Sequence, residues 1–108
     1  MKKTTILVLT LLAAALVSAP AADVKALWDK NCAKCHGADG KGGTKAGKMA
    51  GAKDMTEAKW QTDVSDEKGF KSVKEGIKDG DKVRMKPAEG IADDDIKALV
   101  AYTRAFKK

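Results

Sequence analysis

The pentapeptide Cys32-Ala33-Lys34-Cys35-His36 constrains the fold of this 108-residue chain more than any other feature. A C-x-x-C-H sequence is typical of c-type haem attachment. Each thiol can add across a vinyl group of the porphyrin to form a thioether, and the imidazole can bind the iron as the proximal ligand. The motif therefore predicts one covalently attached haem c, with Cys32 and Cys35 as cofactor-binding residues and His36 as an iron ligand.

A C-x-x-C pair also occurs in redox dithiols, zinc sites and short structural disulfides. A thioredoxin-like dithiol requires a neighbouring βαβ pattern, and the sequence has none. A closed zinc site usually needs about four protein ligands, whereas this chain offers only two cysteines and one histidine. A disulfide or a chance match is the alternative that remains beside the haem.

The first 21 residues have the pattern of a signal peptide. Lys2 and Lys3 form a positive start, residues 4–17 are mostly apolar, and Ala19-Pro20-Ala21 resembles a cleavage site. We expect cleavage after Ala21 and export to the periplasm, with no stable membrane insertion afterwards. An uncleaved membrane anchor is the alternative, although the apolar run is short for a bilayer. Export agrees with the motif, because bacteria attach haem of this kind outside the cytoplasm.

The remaining chain, residues 22–108, is short enough to form a single domain. It holds every aromatic residue of the full chain, two Trp, one Tyr and two Phe, and small domains with thin cores often depend on a bound group for stability. We therefore expect the haem to stabilise the fold. The formal net charge of the full 108-residue chain is +6, but acidic and basic residues are interspersed, so nothing indicates nucleic-acid binding.

Apolar spacing predicts helices at both ends of the domain. Val24, Leu27 and Trp28 give an amphipathic helix that leads into Cys32. Residues 37–43 are rich in glycine and predict a loop. Near the carboxyl end, a stripe from Ile96 to Phe106 predicts the strongest helix in the chain, with acidic residues in its first turn and basic residues near its end.

The middle of the chain is less regular. Thr56 can cap a short helical turn that reaches Trp60, and Ser65 can cap a helix over residues 66–78 that ends before Gly80. Residues 80–90 predict an irregular connection. No useful alternation with a period of two occurs, so we expect no strands and an all-α fold of about three to five short helices around the haem.

The opposite axial position of the iron decides between electron transfer and small-molecule chemistry. Three methionines follow the motif: Met49, Met55 and Met85. Met85 lies in the irregular connection, where a loop could reach the far face of the ring, so we expect it to be the distal ligand. Met49, Met55 and an open iron site are alternatives, since methionine more commonly fills gaps in a core.

Over residues 23–108, the chain resembles a small monohaem class I c-type cytochrome. The features that carry the resemblance are the C-x-x-C-H motif, the glycine-rich loop, a Met-x-Pro segment and a closing amphipathic helix. The resemblance implies that the first and last helices cross beside the haem, with Trp28, Leu99 and Tyr102 at the crossing. It also implies thioethers at Cys32 and Cys35 and His36/Met85 ligation.

The sequence departs from this family pattern at three places. Lys86 separates Met85 from Pro87, where many relatives have Met-Pro. No proline lies between Cys35 and Lys86, so a carbonyl other than a proline carbonyl must orient His36. Ala92 stands where a Ser or Thr often caps the last helix, so we expect Asp93 to take over.

The expected function is that of a periplasmic one-electron carrier, a monomer and not an enzyme. A haem c subunit of a periplasmic dehydrogenase or reductase complex is the main alternative, and a gas-binding haem protein or a haem-free dithiol protein are others. The expected partners are redox proteins with acidic docking surfaces, because Lys30, Lys34, Lys41 and Lys86 flank the site residues. These lysines could equally be ordinary solvated surface.

Overall fold

The computed structural model describes residues 23–108, so the expected signal peptide of residues 1–21 lies outside the described residues. None of the helices within 23–108 is long and apolar enough to cross a membrane. The helices are α1 (Val24–Asn31), α2 (Ala33–His36), α3 (Lys45–Ala50), α4 (Ala58–Asp63), α5 (Asp66–Glu75) and α6 (Asp93–Thr103), with a 3₁₀ turn at Arg104–Phe106; the strands are β1 (Ile77–Asp79) and β2 (Lys82–Met85).

The core lies where the first and last helices meet. Trp28 of α1 and Leu99 of α6 are each only 2% exposed and form a buried cluster with Met55. The indole ring of Trp28 also packs against Tyr102 and Phe106, with ring centroids 5.4 Å and 5.1 Å away. The structure therefore confirms the expected packing of Trp28, Leu99 and Tyr102 between the terminal helices.

The helices are more numerous than the sequence predicts. The first helical stretch is divided at Cys32, whose φ of −121° interrupts α1 before α2 begins. The glycine-rich loop after His36 is confirmed, but α3 is a helix that the sequence analysis missed. Thr44 caps it by accepting a hydrogen bond from the amide of Gly47.

The two strongest helix predictions are confirmed with corrected ends. Helix α5 begins after Ser65, whose side chain accepts a hydrogen bond from the amide of Lys68. It stops before residue 78 because Gly76 adopts a φ of +78°, which a helix does not continue. The expectation that Asp93 caps α6 is wrong: Ala92 occupies the N-cap position and makes no side-chain hydrogen bond there.

The expectation of no strands is wrong for residues 77–85. Strands β1 and β2 form an antiparallel hairpin in which Ile77 pairs with Met85, Lys78 with Val83, and Asp79 with Lys82. The strands have only three and four residues, and a bulge between Ile77 and Lys78 breaks the alternation. A pattern this short and interrupted cannot be recognised from hydropathy.

Polar side chains tie the end of α6 to the middle of the chain. Gln61 donates from Nε2 to the carbonyl oxygens of Met55 and Thr103, over 2.7 Å and 2.9 Å. Arg104 donates to the carbonyl of Val64 over 2.6 Å and to a carboxylate oxygen of Asp66 over 2.9 Å. Arg104 thus anchors the end of α6 to the segment between α4 and α5.

The protein core is thin on the side of α5 and the hairpin. Within residues 23–108 the buried apolar side chains are Trp28, Met55, Ile96, Leu99 and Val100. Helix α5 has no buried residue, and both strands are exposed or half-buried. The apolar surface that these residues remove from water is small for a domain of this size.

We expect the haem-free protein to be largely disordered, because its core is too small to offset the conformational entropy of the chain. A Cys32→Ala, Cys35→Ala variant should give a circular dichroism signal of low helix content and no sigmoidal thermal transition. The haem-loaded wild type provides the control. A cooperative unfolding transition in the haem-free variant would contradict this expectation.

Candidate haem site

The two cysteines and the histidine lie together on one helical turn. The amide of His36 donates to the carbonyl of Cys32 over 2.9 Å, which brings the three side chains of the motif to the same short segment. Cys32 and Cys35 are half-buried free thiols. The structure therefore does not support the disulfide alternative.

Burial changes the ionisation of Cys32. Desolvation raises the pKa of its thiol to about 11, because the thiolate loses the water that stabilises it. Redox dithiols need a thiolate and have lowered pKa values. The half-buried, protonated thiol of Cys32 therefore does not suit dithiol exchange.

His36 is half-buried beside the core tryptophan. Its ring centroid lies 5.8 Å from that of Trp28, at an interplanar angle of 39°. Burial lowers the pKa of the imidazole, so the neutral form that can bind a metal is favoured. Nδ1 is buried and has no hydrogen-bond partner among residues 23–108. The expectation that a backbone carbonyl orients this nitrogen is therefore wrong in this structure.

A threonine outside the motif holds the carboxyl end of α2. The hydroxyl of Thr44 lies 2.7 Å from the carbonyl oxygen of Lys34 and 2.9 Å from that of Cys35. The same oxygen accepts the amide of Gly47 at the start of α3, over 2.9 Å. Sequence analysis missed this residue, although a threonine ahead of a helix is a known capping signal.

The next two carbonyls are held as well. The amide of Gly42 donates to the carbonyl of His36 over 2.9 Å. The indole nitrogen of Trp28 donates to the carbonyl of Gly37 over 3.0 Å, in a buried hydrogen bond. We call the four consecutive carbonyls of residues 34–37, with the donors Thr44, Gly42 and Trp28, the carbonyl clamp.

Gly47 lets α3 approach the motif closely. A Cβ atom built at this position would overlap the carbonyl oxygen of Cys35 and would lie 2.7 Å from that of Gly42. Only a residue without a side chain fits between these two oxygens. The contact between α2 and α3 therefore depends on this glycine.

The structure places the three methionines in different surroundings. Met85 is half-buried at the end of β2, an element separate from the one that carries His36. Met55 is buried in the core cluster with Trp28 and Leu99, and Met49 is 70% exposed on α3. Met55 thus has the ordinary core role of a methionine.

The side chains at the motif fit a covalently held haem. The two free thiols can supply thioethers, and the neutral imidazole can supply an iron ligand. Among the described residues, 23–108, no group of three or more His, Cys, Asp or Glu side chains could hold a bare metal ion. Two thiols and one imidazole are the donors that attach a haem c and bind its iron.

The chain matches a known protein family over most of its length. The cytochrome c family model matches residues 21–107. The chain belongs to the cytochrome c family. Members of this family bind haem c covalently and are typically electron carriers, and the free thiols of Cys32 and Cys35 agree with that chemistry. This cytochrome is accordingly a haem c electron carrier.

Solved structures of c-type cytochromes are similar to this one. A chain described as "KustC0563 c-type cytochrome" is 36% identical, covers 80% of this chain and 99% of its own, and superposes with a TM-score of 0.71. A mutant of Kustc0563 is 35% identical, covers 79% of this chain and 99% of its own, and gives a TM-score of 0.68. Comparison with curated proteins gave no match. The expected cytochrome c fold is thus confirmed.

Replacing Gly47 by Ala should destabilise the haem-loaded cytochrome by about 1–3 kcal/mol, the usual cost of overpacking. Helix propensity alone would predict the opposite sign, since alanine is the better helix former. Thermal unfolding followed by circular dichroism measures the effect. Gly43→Ala is the matched control, because a Cβ there meets nothing within 4 Å. Equal melting temperatures for the two variants would refute the close approach.

Proposed function

We propose that this cytochrome is a periplasmic one-electron carrier whose haem is attached through Cys32 and Cys35 and ligated by His36 and Met85. The observation that carries the proposal is the presence of two free thiols and a neutral imidazole on a single helical turn of a cytochrome c fold. The haem c supplies iron that cycles between ferrous and ferric states. The chain's own residues hold the ring, set its environment and meet the partner.

The surroundings of Met85 support its role as the distal ligand. Met85 is half-buried at the end of β2 and pairs with Ile77 of β1 across the hairpin. Ile77 and Val83 are 42% and 47% exposed, and with Met49 they are the exposed large apolar side chains within residues 23–108. Exposed apolar side chains in the hairpin that carries Met85 are suited to contact a porphyrin ring.

Met85 would supply a soft, neutral thioether to the iron of a bound haem. Such a ligand would favour ferrous iron and raise the reduction potential relative to a site with two histidines. Met85 would also keep small molecules such as oxygen away from the iron. Both effects suit an electron carrier better than a gas-binding protein or an enzyme.

The proposed location and assembly state rest on the sequence. Residues 1–21 have the features of a cleaved signal peptide, which would leave the domain of residues 22–108 in the periplasm. We propose that the mature protein is a monomer, since electron-transfer encounters use small, transient interfaces. Size-exclusion chromatography of protein from its native source would reveal a permanent complex if one existed.

Charge supports an acidic partner. Lys30, Lys34, Lys41 and Lys86 are all exposed. None of the four takes part in an ion pair within the described part of the chain; the ion pairs there involve other cations. Unpaired lysines around the haem motif would attract negatively charged redox proteins and speed their encounter.

Replacing Met85 by Ala should open the iron. We expect the reduced wild type to bind no carbon monoxide at neutral pH, whereas reduced Met85→Ala binds it and shows the corresponding shift in its absorption spectrum. Met49→Ala is the matched control, because Met49 is 70% exposed. An unchanged spectrum of Met85→Ala, with no gain in carbon monoxide binding, would refute the assignment.

Electron transfer to a strongly acidic redox protein should slow as salt is added. Steering of this kind raises association rates by about 10-fold or more at low ionic strength, and screening by salt removes it. Stopped-flow measurement of the bimolecular rate tests this, with an uncharged small reductant as control. A Lys34→Gln, Lys41→Gln variant should have the weaker salt dependence. A flat response in the wild type would exclude steering.

A further inference from the structure

The haem histidine of this chain lacks a common means of fixing its ring. In protein metal sites, the second ring nitrogen of a ligating histidine usually donates to a carbonyl or carboxylate, which sets the plane of the imidazole. Here Nδ1 of His36 is buried with no partner among residues 23–108. The orientation of the ring must therefore come from the backbone that carries it and from the side chains beside it.

That backbone is held at four consecutive positions by the carbonyl clamp. Thr44 binds the carbonyls of Lys34 and Cys35, directly before the histidine. The amide of Gly42 binds the carbonyl of His36 itself. Trp28 binds the carbonyl of Gly37, directly after it. Peptide groups on both sides of the ligand are thus fixed to α1 and to the segment that leads into α3.

We propose that Thr44 is a positioning residue for the imidazole of His36, which it orients through the carbonyls of Lys34 and Cys35 in place of a hydrogen bond at Nδ1. This inference rests on the proposed function, since it takes His36 as the iron ligand. It adds a residue outside the C-x-x-C-H motif to the haem site.

The energetics of Thr44 favour this role. Helix α2 has only four residues, too few to be stable without outside contacts. The single O–H of Thr44 is shared between the carbonyls of Lys34 and Cys35, and its oxygen also accepts the amide of Gly47. Because the side chain is half-buried, removal of the hydroxyl leaves groups that water replaces only in part. The turn that carries His36 would then be free to shift.

The experiment compares three variants of the haem-loaded protein. Thr44→Val removes the hydroxyl and keeps the shape of the side chain, and Thr44→Ser restores the hydroxyl. Thr62→Val is the matched control: the hydroxyl of Thr62 donates to the carbonyl of Ala58 over 3.0 Å within α4, away from the motif. Each variant is prepared in a host that attaches haem, and its covalent haem is verified by mass.

Two measurements report the position of the ring. In the ferric protein, the paramagnetic proton shifts of the four haem methyl groups depend on the plane of the imidazole that binds the iron. If Thr44 only stabilised the fold, its replacement would leave these shifts unchanged. The reduction potential reports the strength of ligation. For Thr44→Val we expect a changed pattern of methyl shifts and a change of about threefold or more in the ferric to ferrous equilibrium, about 30 mV for one electron.

Thr44→Ser should restore the wild-type pattern and Thr62→Val should leave it unchanged. Wild-type shifts and potential in haem-loaded Thr44→Val would overturn the proposal, as would a Thr44→Ser variant that resembles Thr44→Val. An equal effect of Thr62→Val would overturn it too, because it would show that any lost hydroxyl has this result.

A second variant covers the case in which Thr44→Val does not fold. Thr44→Asp keeps an oxygen that can cap α3 but has no donor for the two carbonyls. It is judged on the methyl shifts alone, since its added charge moves the potential by itself. A wild-type pattern in this variant would refute the positioning role.

Failure of the proposed function gives a different result. Wild-type protein that lacks haem, or that keeps its ligand-field spectrum after His36→Ala, would overturn the ligand assignment and the positioning role together. A different result overturns the positioning role alone: the wild type carries haem and His36 binds the iron, but replacement of Thr44 changes neither the methyl shifts nor the reduction potential.

Discussion

The rest of the structure depends on the contacts that the indole ring of Trp28 makes. Its ring is the centre of the small core, where it meets Leu99, Tyr102 and Phe106. Its ring nitrogen donates a hydrogen bond to the carbonyl of Gly37, immediately after His36. One side chain therefore joins the terminal helices to the motif. Packing and site geometry cannot vary independently here, because both use the same ring.

The parts of the fold that the sequence predicts are those encoded by neighbouring residues. The C-x-x-C-H motif, the Ser65 cap of α5 and the apolar stripe of α6 each lie within one short segment. The sequence could not predict the pairing of Arg104 with Val64 or of Thr44 with Cys35, since a hydrogen bond between distant residues leaves no periodic trace. The hairpin was missed because its strands are short and bulged.

The same division applies to the haem site. The thiols and the imidazole can be recognised at once, because the chemistry demands their spacing. The residues that support the site differ from those that bind the haem. Gly47 acts through the absence of a Cβ, and Thr44 acts through a single hydroxyl. Gly47 has meaning only beside the carbonyl of Cys35, and that neighbour is visible only in three dimensions. The supporting parts of such a site are consequently harder to find than its ligands.

The contact between the two terminal helices also bears on when the haem can be joined to the chain. The core cluster connects Trp28, near the start of the described chain, to Leu99, near its end. Because this core is small, a complete chain without haem would not hold the cluster closed, and the thiols of Cys32 and Cys35 would stay accessible. A thin core thus favours attachment first and closure of the terminal helices afterwards.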